Sequence, residues 1–85
     1  MRVYGRVQLV MFRDSTQRRA SKLGLVGYVK NLPDDSVEII TTGEDSKVSE
    51  LFEWAKKGPL FARVDKFEID KVLLKVKCSE FTILY

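Results

Sequence analysis

The spacing of apolar residues changes period near residue 14, and this change constrains the fold more than any other feature. At the start of the chain, small and apolar residues alternate with polar ones, as a half-buried strand requires. The small and apolar residues are Val3, Gly5, Val7 and Leu9. The spacing then becomes that of one helix face, carried by Thr16, Ala20 and Leu23. Gly24 is well placed to end this helix. The first unit is therefore predicted to be a strand, a tight loop and a helix.

The rest of the chain continues with alternating strand and helix patterns. A strand over residues 25–31 and another over Val37–Thr42 are predicted to form a hairpin through the turn sequence LPDDS. A second helix is predicted to start near Asp45 or Ser46 and to stop before Gly58-Pro59. Its apolar face consists of Val48, Leu51, Phe52 and Ala55. Residues 61–76 and the closing run FTILY are rich in β-branched and aromatic residues, which predicts two more strands.

The predicted order is strand, helix, strand, strand, helix, strand, with one further strand at the end. This order fits the α/β (α+β) class as a ferredoxin-like βαββαβ sandwich, in which an antiparallel sheet carries two helices on one face. Because the chain has 85 residues and no linker, repeat or low-complexity tract, we expect a single domain over residues 1–85. Such a fold hosts many functions, so the function has to be argued from a site.

The amino-acid composition excludes several kinds of chemistry. The chain contains no histidine and a single cysteine, Cys78. An internal disulfide, a zinc site of cysteine and histidine ligands, and a serine or cysteine nucleophile with a histidine base are therefore excluded. We expect neither a metal site nor a cofactor. Cys78 lies in an apolar-rich stretch and is interpreted as a buried core thiol.

The charge distribution favours small anions over large partners. The net charge is +3, and the basic residues are scattered apart from Arg18-Arg19 and Lys56-Lys57. This pattern is too diffuse for a nucleic-acid footprint but would attract a phosphate-bearing small molecule. No segment approaches the ~20 apolar residues of a membrane span, and the N-terminal sequence is interpreted as a strand instead of a signal peptide. We therefore expect a cytoplasmic monomer without a nucleic-acid or membrane partner.

The segment GRVQLVMFR, at the predicted transition from strand to helix, is the best candidate for a site. Unpaired backbone N–H groups at a helix start, together with the helix dipole and a concave turn, bind anions readily. Arg13, at the end of that turn, adds a guanidinium that matches two phosphate oxygens. Position alone favours a simpler interpretation of Arg13 as a solvated residue at a helix start. Asn31, at the end of the second predicted strand, is by position alone a turn former.

Two sequence motifs at the expected distance from each other favour a functional interpretation of Arg13 and Asn31. GRVQLVMFR resembles the first signature of the acylphosphatase family, and KLGLVGYVKNLPD resembles its second. The first is matched by Gly5, Val7, Gln8, Val10, Phe12 and Arg13, and the second by Leu23-Gly24, Gly27, Val29 and Asn31. A weaker likeness extends through GPLFARV and FTILY, so the resemblance covers nearly the whole chain.

The resemblance implies hydrolysis of acyl phosphates to a carboxylate and inorganic phosphate, without a metal ion or a covalent intermediate. It implies that the phosphoryl group binds in the loop from Leu9 through Val10, Met11 and Phe12 to Arg13, held by backbone N–H groups and the Arg13 guanidinium. It further implies that the Asn31 side-chain amide orients the attacking water. An acyl phosphate is already activated, so the absence of a histidine base is no obstacle.

The sequence departs from the family pattern at two positions. The family has glycine where this chain has Leu9, and glycine there serves positive φ or close approach to a ligand. Asp35 stands where LPDGS is usual, and we expect it to reshape only the hairpin turn. The alternative function is therefore a non-catalytic relative of the same fold, which binds anions or a partner and has lost turnover through Leu9. An RNA-binding domain of the same element order ranks lower, because the exposed aromatic pair that stacks bases is not evident.

Overall fold

A computed structural model describes residues 1–8, 11–70 and 79–84. The elements in chain order are β1 (Arg2–Arg6), α1 (Phe12–Lys22), β2 (Val26–Asn31), β3 (Val37–Thr42), α2 (Asp45–Ala55), β4 (Arg63–Glu68) and β5 (Phe81–Leu84). The predicted order of strands and helices is confirmed. Cys78 and the last part of the predicted strand over residues 61–76 lie outside the described residues, as does Tyr85.

The five strands form one mixed sheet in the order β4-β1-β3-β2-β5. The pairs β4–β1, β1–β3 and β3–β2 are antiparallel, whereas β5 runs parallel to β2. The predicted ferredoxin-like α+β class is confirmed, but the expectation of a wholly antiparallel sheet was wrong at this edge. Strand β4 runs opposite to β2. Because β5 runs opposite to β4, it has the same direction as β2 and pairs with it in parallel.

Both helices pack on one face of the sheet, and the core lies between the two layers. Alternate sheet residues point into it, among them Val3, Val29 and Ile39. The helices contribute fully buried side chains to the same cluster, namely Phe12 and Ala20 from α1 and Leu51 and Ala55 from α2. Thr16 of α1 is also fully buried. The helical spacing that predicted these faces is thus the spacing that buries them.

Helix α1 ends as the sequence predicted. Gly24 has a φ of 72°, a left-handed conformation that glycine adopts without a steric penalty. The N–H of Leu25 donates to the carbonyl of Ala20 at 3.0 Å and that of Gly24 to Ser21 at 3.1 Å. These two bonds satisfy the last carbonyls of the helix in a Schellman motif. The reversal directs the chain into β2 and hence towards Asn31.

None of the helices in residues 1–8, 11–70 and 79–84 is long and apolar enough to cross a membrane.

Candidate active site

The site begins where β1 gives way to α1. Within β1, the register to β4 shifts between Tyr4 and Gly5, which forms a β-bulge. Gly5 has a φ of 126°, and a Cβ there would collide with the backbone oxygen of Arg63. Only glycine fits this position without moving β4. The bulge therefore explains the first glycine of the motif, and it sets the direction in which the strand approaches the helix.

Helix α1 begins directly after Met11, within the segment predicted to bind phosphate. Met11 is the N-cap residue, has a left-handed φ of 62°, and makes no side-chain capping bond. Its carbonyl accepts the N–H of Ser15 at 3.0 Å, so the helix is formed from this point. The first-turn N–H groups of a helix have no intrahelical acceptor and lie at the positive end of the helix dipole. This end of α1 is therefore suited to bind a phosphate group.

Phe12 anchors that helix start in the core. Its side chain is 1% exposed and packs on Trp54, with the ring centroids 5.6 Å apart. The Phe12 carbonyl accepts the hydroxyl of buried Thr16 at 2.8 Å. Because the aromatic ring is turned into the core, only the backbone of Phe12 is available to a ligand.

A cavity of about 140 Å³ lies in front of the helix start. It is lined by Val7, Met11, Phe12, Arg13, Asp14, Asn31 and Ile83. The structure therefore brings together four of the predicted site residues, Met11, Phe12, Arg13 and Asn31. The other two, Leu9 and Val10, lie outside the described residues, so their assignment to the phosphate loop stays a prediction.

Arg13 is partly buried at the rim of this cavity. One of its guanidinium nitrogens, Nη1, donates to the carbonyl of Leu84 at 3.3 Å. This contact holds the arginine between α1 and β5, the strand that carries Ile83. A guanidinium carries five N–H donors in a planar fork, a geometry that matches two oxygens of a phosphate group.

Asn31 faces the same cavity from the end of β2. Its backbone is fixed by pairing with Val37 of β3. Its Oδ1 atom is buried and has no hydrogen-bond partner among the described residues. A buried acceptor without a partner costs roughly 1–3 kcal/mol. A polar ligand in the cavity, such as a water molecule that donates to Oδ1, would remove that cost.

The loop after Asn31 closes the β2–β3 hairpin. The N–H of Leu32 donates to the carbonyl of Ser36 at 2.8 Å, and Asp35 adopts a left-handed φ of 71°. Both the hydroxyl and the backbone N–H of Ser36 donate to Asp34 Oδ1. Both bonds lower the pKa of the Asp34 carboxyl, and the bond from the Ser36 hydroxyl has the larger effect. The hairpin closes with Asp35 at the position where the family has glycine, and Asp35 is not among the residues that line the cavity.

Sequence reasoning missed three lining residues, Val7, Asp14 and Ile83. Val7 was assigned to the first strand and to the first motif, but not to the site. Asp14 follows Arg13 directly in the first turn of α1, so its position next to the site was predictable from the start of the helix. Ile83 reaches the site because it pairs with Val29 in the parallel β2–β5 contact, which the sequence did not reveal.

No group of three or more His, Cys, Asp and Glu side chains that could hold a metal ion occurs within the described ranges.

Comparison with known proteins agrees with this geometry. A sequence model of the acylphosphatase family matches residues 1–83. The chain is 51% identical over 73 residues to an acylphosphatase of Rubrobacter xylanophilus, covering 84% of this chain and 66% of that protein. It is 42% identical over 82 residues to an acylphosphatase of Methylococcus capsulatus, covering 96% and 89% of the two chains. The crystal structure of acylphosphatase from Bacillus subtilis superposes with a TM-score of 0.92 at 34% identity, over 99% of this chain and 93% of that one. The chain belongs to the acylphosphatase family.

Proposed function

We propose that this protein hydrolyses acyl phosphates to a carboxylate and inorganic phosphate, with Arg13 binding the phosphoryl group and Asn31 orienting the attacking water. The family match and the relatives named acylphosphatase support the activity. One observation carries the assignment of roles: Arg13 and Asn31 line the same cavity of about 140 Å³, and Asn31 Oδ1 has no hydrogen-bond partner among the described residues. A cationic fork and a side-chain amide at one cavity are the two groups that attack by water on a phosphoryl group needs.

The phosphoryl group would be held at the start of α1. Its oxygens carry negative charge that is redistributed over the three equatorial oxygens as the transition state forms. The proposed donors are the backbone N–H groups of the loop from Leu9 to Arg13 and the Arg13 guanidinium. The donors of Phe12 and Arg13 are held in place before the substrate binds, because Phe12 is anchored in the core and Arg13 contacts Leu84. Preorganised donors stabilise developing charge without reorganising during the reaction.

The water would be held by Asn31. Its Oδ1 accepts one hydrogen of the water, which turns a lone pair of the water oxygen towards phosphorus. The new bond joins the water oxygen to phosphorus, the bond from phosphorus to the acyl oxygen breaks, and the water proton passes to solvent or to the phosphate formed. The leaving group is a carboxylate, the conjugate base of an acid with a pKa of roughly 4. It departs without protonation, so the proposed route requires no strong base.

The wider setting is also part of the proposal. We propose that residues 1–85 act as a single domain and as a cytoplasmic monomer on small-molecule acyl phosphates, without a nucleic-acid partner. The dispersed basic residues support the exclusion of nucleic acid, because a nucleic-acid surface needs clustered positive charge. Size-exclusion chromatography coupled to light scattering tests the monomer, and a gel-shift titration with single- and double-stranded RNA tests the partner.

The experiment that tests the function compares the purified chain with its Asn31→Ala variant on benzoyl phosphate, whose loss is followed by absorbance. We expect the wild-type protein to turn over. We expect Asn31→Ala to lose roughly a hundredfold or more in kcat, while the affinity for inorganic phosphate stays within a few-fold.

Three other outcomes contradict parts of the proposal. Phosphate binding without any turnover of the wild type would favour the non-catalytic relative. A near-normal kcat in Asn31→Ala would disprove the water-orienting role. Loss of phosphate affinity in the same variant would make Asn31 part of the phosphate site instead.

A further inference from the structure

The Gln8 side chain connects the segment after β1 to the hairpin loop that follows Asn31. It is the last described residue before the loop predicted to bind phosphate, and its side chain is partly buried. Its Nε2 atom donates to the carbonyl of Leu32 at 3.0 Å and to the carbonyl of Ser36 at 3.0 Å. A side-chain amide nitrogen has two hydrogens, so both donors of Gln8 are engaged by two backbone acceptors.

The two acceptors are the ends of the hairpin loop that follows Asn31. Leu32 is the next residue after Asn31, and its N–H donates to the Ser36 carbonyl at 2.8 Å. The Leu32 carbonyl also accepts the N–H of Asp35 at 3.2 Å. Gln8 therefore binds the loop at the point where its own internal hydrogen bonds close it, and a movement of Gln8 would be transmitted to the end of β2.

The backbone ladder alone does not make this connection close to the site. The registered pairs between β1 and β3 are Arg2 with Glu38 and Val3 with Val37. Towards its end, β1 is registered with β4 on its other side, at Gly5 with Val64 and Arg6 with Arg63. The Gln8 side chain thus spans from the end of β1 to the hairpin loop, beyond the last registered pair of the β1–β3 ladder.

We propose that Gln8 is a positioning residue, which holds the hairpin loop after Asn31 against the end of β1 so that the water bound by Asn31 is aligned with the phosphoryl group. The inference rests on the proposed function, because it requires Asn31 to orient the water. Gln8 touches backbone carbonyls in this arrangement and acts through Asn31, not on the substrate. A displacement of a reacting group by about 1 Å can cost on the order of a hundredfold in rate. Two short bonds to the hairpin loop prevent such a displacement.

The first test replaces Gln8 by methionine, which has similar length and no hydrogen-bond donor. We expect Gln8→Met to lower kcat on benzoyl phosphate by roughly tenfold to a hundredfold, with the affinity for inorganic phosphate within about threefold of wild type. Activity is measured well below the unfolding temperature, and urea unfolding is measured in parallel. If Gln8→Met does not fold, Gln8→Glu keeps the shape and exchanges the donor nitrogen for oxygen, and the same loss of kcat is expected.

A matched control lies in the β2–β3 hairpin, at the end away from its loop. The Thr41 hydroxyl donates to the Val26 carbonyl at 2.9 Å, a partly buried side-chain bond to backbone that lies away from the cavity. We expect Thr41→Val to keep the wild-type kcat even where its stability falls as much as that of the Gln8 variant. An equal loss of kcat in Thr41→Val would show that any weakening of the hairpin impairs turnover, and it would overturn the specific role of Gln8.

A double-mutant cycle with Asn31→Ala decides whether Gln8 acts through Asn31. If it does, Gln8→Met lowers kcat in the wild-type background but by less than about threefold once Asn31 is alanine. If the losses of kcat multiply in the double variant, or if Gln8→Met alone leaves kcat unchanged, the inference about Gln8 is overturned. A severe loss of kcat in Asn31→Ala would in either case still support the proposed function. A near-normal kcat in Asn31→Ala overturns the water-orienting role itself, and the role of Gln8 falls with it.

Discussion

Replacing Arg13 by alanine tests the phosphate site most directly. Arg13 lies at the first turn of α1, lines the cavity, and makes a 3.3 Å bond to the Leu84 carbonyl. The substitution removes the guanidinium from the site, together with its bond to the Leu84 carbonyl. Because that bond is exposed, it contributes no more than about 1 kcal/mol to stability. The variant is therefore expected to fold, and its loss of function reports on the site.

The size of the loss follows from the number of bonds that the guanidinium makes to phosphate. A hydrogen bond to a charged group contributes roughly 1.5–3 kcal/mol, and a guanidinium makes two such bonds to a phosphoryl group. Their removal costs roughly 3–6 kcal/mol of transition-state stabilisation, and each 1.4 kcal/mol is tenfold. We therefore expect kcat/KM of Arg13→Ala to fall by about a hundredfold to ten-thousandfold, with a parallel loss of phosphate affinity. Arg13→Lys keeps the charge but lacks the fork, and an intermediate loss is expected.

The assay combines hydrolysis of benzoyl phosphate with a phosphate titration followed by amide chemical shifts, in which the first shifts are expected from Met11 to Arg13. Arg18→Ala is the matched control, because Arg18 is exposed on the same helix and does not line the cavity. Both variants change the net charge from +3 to +2. At physiological salt the Debye length is about 8 Å, so Arg18→Ala is expected to stay within about twofold of wild type. A loss below tenfold in Arg13→Ala, or an equal loss in both variants, would refute the reasoning.

Two further substitutions address the departures from the family pattern. Leu9→Gly is expected to raise kcat/KM for benzoyl phosphate by opening the phosphate loop, with a change in unfolding free energy within about 1 kcal/mol of either sign; equal or lower turnover would mean that the loop is adapted to leucine. Asp35→Gly relieves a left-handed residue with a φ of 71°, so urea unfolding is expected to show a gain of up to about 1 kcal/mol at unchanged kcat. A clear loss of stability would show that the Asp35 side chain contributes more to the turn than its backbone conformation costs.

The order of the elements was predictable because each one carries a local signal, which is a hydrophobic period in β1 and the two helices and a strand-like composition in the last two strands. Thr16 and Ala20 are spaced for a helix and are buried on one face of α1, and Gly24 ends that helix with a left-handed φ. The edge at which β5 joins the sheet was not predictable in this way. FTILY has the composition of a strand, but composition does not determine which neighbour a strand takes or in which direction it runs. The parallel pairing with β2 is a property of the whole topology.

The site was predictable to the extent that its residues belong to the two motifs. Arg13 and Asn31 were assigned to it from the sequence, and both line the cavity. Ile83 was missed, because its position depends on the unpredicted β2–β5 register. The partners of Gln8 were missed for a different reason. They are backbone carbonyls of Leu32 and Ser36, and a backbone acceptor carries no mark in the sequence that distinguishes it from any other.

The structure combines a buried anchor at the start of α1 with an acceptor on β2 that has no partner in the described part of the chain. Phe12 anchors the start of α1 through its buried ring, so the helix N–H groups do not need to reorganise when phosphate binds. Asn31 Oδ1 is buried without a partner among the described residues, and a buried acceptor in that situation costs roughly 1–3 kcal/mol. That cost is recovered only by a ligand that donates a hydrogen bond, as water does. Because the anchor belongs to α1 and the acceptor to β2, their separation depends on the contacts that cross between these segments. Turnover should therefore be more sensitive to the Gln8 hydrogen bonds than overall stability is.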